Sequence, residues 1–82
     1  MNNDNVEILE INISEIDEAL ANVNLYIDEL TLICKNPHTP ASNRIAMIEE
    51  LNTLIGQRVS LEEEKRKNKY QLENIIKGAH IK

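Results

Sequence analysis

The chain has 82 residues, a net charge of −5 and one cysteine, Cys34. This length has room for one domain, taken here as residues 1–82, and a lone cysteine excludes an internal disulfide and fits a reducing, cytoplasmic setting. The two tyrosines are the only aromatic residues, which argues against a platform for stacked bases and against an aromatic-lined ligand groove. We also expect no secretory leader and no membrane span, because the apolar runs are only a few residues long.

An unbroken stripe of apolar residues predicts the first helix. Its members follow one another at alternating steps of three and four residues, which places them on one face of a helix from about residue 6 to residue 35. The members of the stripe are Val6, Leu9, Ile13, Ile16, Leu20, Val23, Ile27, Leu30 and Cys34. Residues 6–13 also alternate as a strand does, and Ser14 with Asp17 resembles a capping pattern, so a strand over residues 6–13 is the alternative.

Two prolines indicate the turn. Pro37 and Pro40 disfavour helix in the residues before them, so we predict a turn over residues 36–40 and a second helix over about 41–77. Residues 62–69 lack an apolar anchor, and the helix could be broken near residue 68. Gly56 lies inside this helix and indicates either a bend or the close approach of another backbone, and Gly78 is placed to end the helix. A connection this short makes the two helices antiparallel neighbours.

The position of the turn predicts which residues lie side by side. With the turn centred on His38, the basic residues 65–69 fall beside residues 7–11, and residues beyond Tyr70 have no neighbour within the chain. That tail then either folds back as a short third helix or docks on a second chain. Both helices also carry apolar residues away from their shared contact. We therefore expect an all-α fold: an antiparallel two-helix hairpin with a C-terminal helical extension, self-associating into a four-helix-type bundle or a higher oligomer.

Six residues are candidates for an interface. Arg58 falls within the apolar residues of the second helix and needs an acid, which we expect to be Asp17 or Glu18, or the same acid on a partner chain. Tyr26 flanks the first stripe, and its hydroxyl is expected at the rim of an interface. The other four candidates belong to the tail: Tyr70, Leu72, Ile75 and Ile76.

The start of the second helix is a candidate anion site. Free backbone N–H groups and the helix dipole favour anions there. The side chains near this position are those of Thr39, Ser42, Asn43 and Arg44. The same hydroxyl and amide groups are also ordinary capping residues, with Thr39 placed to cap the second helix.

Other chemistry is weakly represented. Cys34 and His38 are four residues apart, but zinc needs four ligands, so we interpret them as a seam residue and a solvated turn residue and expect no metal or cofactor. The basic residues 65–69 follow three glutamates and form a small footprint, which argues against nucleic-acid binding.

These observations favour a protein that acts by contact rather than by catalysis. We expect a non-enzymatic oligomeric helical protein that binds, inhibits or sequesters a protein partner. The alternative is an oligomer that binds a small anionic ligand or nucleotide at the start of the second helix.

Overall fold

The computed structural model describes residues 3–81, with the side chains of residues 4–78, and in this part of the chain it contains two helices. Helix α1 spans Asn3–Lys35 and helix α2 spans Ala41–Ile81. They pack against each other as an antiparallel hairpin with extents of 63 × 14 × 14 Å. The predicted hairpin is confirmed, and the strand alternative for residues 6–13 is wrong because α1 runs through them.

Helix α1 packs with the face that its apolar stripe predicts. Four of the five buried apolar residues belong to this stripe: Leu9, Ile16, Ile27 and Leu30. The remaining stripe residues are half-buried. Near the turn, Ile27 and Leu30 form a small core with Leu54 of α2, and Val23, Met47 and Leu51 pack around it. We call this contact between the two helices the seam.

Hydrogen bonds from three residues hold the turn against the end of α1 and against Asn36, the residue that follows it. The Thr39 hydroxyl donates to the carbonyl of Ile33 (2.8 Å), and the Arg44 guanidinium donates to the carbonyl of Asn36 (2.6 Å). The backbone N–H of His38 donates to the Asn36 side chain (2.9 Å). Thr39 therefore caps the end of α1 and not the start of α2 as predicted, because the last carbonyls of a helix need donors.

The apolar residues of α2 lie on two faces rather than on one broad face. One set contributes to the seam at steps of three and four residues, with Leu54 buried and the other members half-buried. The seam residues of α2 are Arg44, Met47, Leu51, Leu54, Arg58, Leu61, Lys65, Asn68, Leu72 and Ile75. The second set is exposed and is described below.

The predicted register was wrong by a few residues. Facing residues have numbers that add to about 80, as in the contacts of Asn12 with Asn68 and of Asp17 with Lys65, rather than to about 76. Side chains lean toward the N-terminus of their own helix, and in an antiparallel pair this lean shifts both partners to higher numbers. Helix α1 also begins at Asn3. The tail beyond Tyr70 therefore has neighbours within the chain, contrary to the prediction.

Helix α2 is continuous past each position where the sequence indicated a bend, a break or an end. It runs through Gly56, through residue 68 and through Gly78 to Ile81. A Cβ atom added at Gly56 would meet nothing within 4 Å, so no other backbone approaches this glycine in the described part of the hairpin.

Candidate interaction surfaces

The hairpin leaves many large apolar side chains in contact with water. Five apolar residues are buried among those described, whereas twelve large apolar residues are exposed. The exposed residues are Ile8, Ile11, Leu25, Tyr26, Leu32, Ile33, Ile45, Ile48, Ile55, Val59, Tyr70 and Ile76. Two helices share one seam and enclose nothing else, so these side chains can be covered only by another surface.

The most continuous exposed set lies on α2. Its members follow one another at steps of four, three, four, three and four residues, which keeps them on one face of the helix. We call this set the outer stripe: Ala41, Ile45, Ile48, Asn52, Ile55 and Val59. All six residues are exposed, and Ile45 keeps 62% of its surface in water. The stripe begins at the turn and ends near the middle of α2.

A smaller exposed set lies on α1. Leu25 and Leu32 are seven residues apart, on the same side of the helix, and are 61% and 70% exposed. The exposed acids Asp28 and Glu29 lie between them in the chain. This α1 outer face therefore combines apolar side chains with negative charge.

Tyr26 bridges the two helices at the edge of the seam. It is 44% exposed, and its hydroxyl donates a hydrogen bond to a carboxylate oxygen of Glu50 (3.0 Å). This hydrogen bond and the negative charge of Glu50 raise the pKa of Tyr26 above its ordinary value, and partial burial and Glu29 add to the effect. The hydroxyl thus lies at the rim of the contact between α1 and α2.

Arg58 has a different partner from the predicted one. It is half-buried in the seam and donates to the side-chain oxygen of Asn24 (3.4 Å), whereas the ion pair of Asp17 is with Lys65. The shift in register explains the change, because it moves Asn24 opposite Arg58 and Asp17 opposite Lys65. Arg58 therefore belongs to the contact within the hairpin, where a polar seam residue can fix the register of two helices.

The tail candidates divide into two pairs. Leu72 and Ile75 are half-buried in the seam, and Ile75 lines a groove with Ile8 and Leu9 of α1. Tyr70 and Ile76 are exposed, by 67% and 44%. Only the second pair is therefore available in the hairpin for contact with another molecule.

Two of the four candidate anion residues form hydrogen bonds in the turn. Thr39 and Arg44 donate to the carbonyls of Ile33 and Asn36, as described above, while Ser42 and Asn43 are exposed. The Nε atom of Arg44 is buried, and no partner for it occurs among the described residues. The four side chains are close in sequence, but two of them already close the turn.

In residues 3–81, no three side chains of histidine, cysteine, aspartate or glutamate group together as metal ligands would. Neither helix there combines the length and the apolar character that crossing a bilayer requires.

The outer stripe as a separate face was missed by the sequence reasoning. The signal was present in two seven-residue series. Met47, Leu54, Leu61 and Asn68 form one, and Leu51, Arg58 and Lys65 form the other, whereas Ile45, Ile48 and Ile55 belong to neither. When all aliphatic residues of α2 are counted as one face, the seam residues cannot be distinguished from the outer stripe.

Comparisons with known proteins identify no family. No protein-family model matches the chain, and no significant match was found among curated proteins or solved structures.

Proposed function

We propose that this chain is a non-enzymatic, self-associating helical protein that binds, inhibits or sequesters a protein partner. The observation that carries the proposal is the imbalance between five buried and twelve exposed large apolar residues in the described hairpin. Apolar surface of this extent on a small helical protein is typical of interaction sites.

The two exposed sets suit two kinds of contact. The outer stripe of α2 is uncharged and, apart from Asn52, aliphatic, which suits a helix of the same kind. The α1 outer face places Leu25 and Leu32 beside Asp28 and Glu29, which suits an apolar protein surface with basic residues at its rim. We assign the protein partner to the α1 outer face.

Affinity capture with matched variants tests the proposal. The wild-type chain, immobilised and exposed to a lysate of its native cells, should retain one protein in stoichiometric amount. Leu25→Asp/Leu32→Asp should lose it, because two charges would enter the apolar contact, whereas Ile48→Asp/Ile55→Asp should retain it. Equal capture by both variants, or none by the wild type, would contradict the proposal.

The alternative function, binding of a small anionic ligand or nucleotide, uses Thr39, Ser42, Asn43 and Arg44. Native mass spectrometry of the purified chain separates the two functions. A bound phosphorylated compound that is lost in Arg44→Ala would favour the alternative. The hydrogen bonds of Thr39 to Ile33 and of Arg44 to Asn36 already explain those two residues as turn contacts, so we expect a clean protein mass.

A further inference from the structure

We propose that the outer stripe of α2 is the surface through which two copies of this chain associate, and that the two stripes pair antiparallel and staggered over residues 41–59. This inference rests on the self-association proposed above and adds the face and the orientation.

The spacing of the outer stripe matches its own reverse. Its steps of four, three, four, three and four residues read the same in both directions along α2. A second copy laid antiparallel therefore presents side chains at the same intervals, with Ile45 opposite Ile55 and Ile48 opposite Asn52 of the other copy. Such a contact is isologous, so a two-fold axis near residue 50 relates the two copies and the pair is closed.

Charge decides between the antiparallel and the parallel arrangement. Beyond Val59 the same face of α2 continues with four charged residues, Glu62, Arg66, Lys69 and Glu73. A parallel pair in register would place each of them against its own copy, giving four contacts between like charges. In the antiparallel pair these residues extend past the turn of the other copy. Like charges then meet only at the rim, where Glu49 lies beside its copy and Arg44 lies near Arg58 of the other copy, and water screens these contacts.

The size of the contact predicts a reversible dimer. Residues 41–59 of a helix extend over about 27 Å, and a helix is roughly 10 Å wide. The two copies together would bury on the order of 550 Å², which is below the roughly 1,200 Å² of a stable interface. The dimer should therefore form and dissociate with concentration.

Sedimentation velocity of the full chain tests the face. Ile48→Asp/Ile55→Asp should raise the dissociation constant of the dimer at least about tenfold, because it would place charges in the apolar contact. Asn52→Leu should lower the dissociation constant, since it removes the polar residue from the stripe. The matched control, Leu25→Asp/Leu32→Asp, introduces the same charges on α1 and should leave the constant unchanged. Circular dichroism should show equal helix content in all variants, because these side chains are exposed.

A spin-label distance tests the orientation. In Cys34→Ser/Lys67→Cys, labels on the two copies of an antiparallel pair should lie about 50 Å apart, whereas a parallel pair would bring them within roughly 20 Å.

The outcomes separate this inference from the proposed function. Equal dissociation constants for the wild type and Ile48→Asp/Ile55→Asp would overturn the inference alone. A label distance within roughly 20 Å in Cys34→Ser/Lys67→Cys would do the same. A wild-type chain that stays monomeric at every concentration would overturn the self-association as well.

Discussion

At the residue scale, the hydrogen bond from Tyr26 to Glu50 ties the two helices together beside the turn. Glu50 raises the pKa of Tyr26, first through that hydrogen bond and then through its charge, so the folded hairpin favours the protonated phenol. The contribution of this contact to stability is present below the ordinary tyrosine pKa of about 10 and is lost as the pH rises through the raised value.

Ultraviolet titration of the tyrosine checks this contact. In Tyr70→Phe, Tyr26 is the only phenol, and we expect its pKa to lie above that of an unfolded peptide. Adding Glu50→Ala removes both the acceptor and the charge and should lower the pKa of Tyr26. An unchanged titration midpoint in the double variant would show that Glu50 is not the cause.

Gly56 gives a second prediction at this scale. Open space surrounds it within the hairpin, so Gly56→Ala should stabilise the monomer by about 1 kcal/mol through helix propensity alone. Urea denaturation of a dilute sample measures the change, with Gln57→Ala as the control, for which we expect a few tenths of a kcal/mol at most. A destabilised Gly56→Ala would mean that another backbone lies close to this position.

At the element scale, the two helices have different roles in the seam. Every member of the α1 stripe lies in the contact, whereas the α2 side of the contact includes Arg58, Lys65 and Asn68. Polar residues of α2 therefore interrupt the apolar contact between the turn and the open end of the hairpin. The ion pair of Lys65 with Asp17 is partly exposed, so its main effect is on register rather than on stability.

A charge in the middle of the seam should unfold the hairpin. Ile16 is 7% exposed, and Ile16→Asp should cost about 3 kcal/mol, which is comparable with the roughly 3–5 kcal/mol that one small core supplies. Thermal unfolding followed by circular dichroism should lose its cooperative transition. Ile11→Asp, at an exposed position of the same helix, is the control and should unfold as the wild type does. Cooperative unfolding of Ile16→Asp would show that the seam is not the main source of stability.

The open end of the hairpin gives a matched pair within α2. Leu72 is half-buried against α1, whereas Ile76 is exposed. We expect Leu72→Asp to lower the free energy of unfolding by about 2 kcal/mol and Ile76→Asp to change it little. Urea denaturation measures both. Similar values for the two variants would indicate that the tail does not pack on α1.

At the scale of the whole molecule, the hairpin followed from the sequence, and the division of α2 into two faces did not. The α1 stripe is unbroken, and Pro37 and Pro40 follow it directly, so the first helix and the turn could be located. In α2, polar residues occupy seam positions and aliphatic residues occupy exposed ones, so hydrophobicity alone does not identify the seam. The register also depends on the lean of side chains along each helix, which residue counting from the turn omits.

The candidate sites could be predicted less well than the fold. Arg58 was correctly placed among the packed residues of α2, but its partner depends on the register. The expected partner was an acid, whereas the observed partner is Asn24. Thr39 and Arg44 were identified as a cluster, yet their bonds to Ile33 and Asn36 could be predicted only from the turn geometry. Exposed aliphatic residues identify the surface on which a contact is proposed, but they do not define the chemistry of the partner.

The mass of the chain in solution across a dilution series tests the central claim, that one seam leaves apolar surface to be covered by another molecule. By sedimentation equilibrium, the average mass should rise from 9.4 kDa in dilute samples toward twice that value in concentrated ones. A mass that stays at 9.4 kDa up to the highest soluble concentration would contradict the claim.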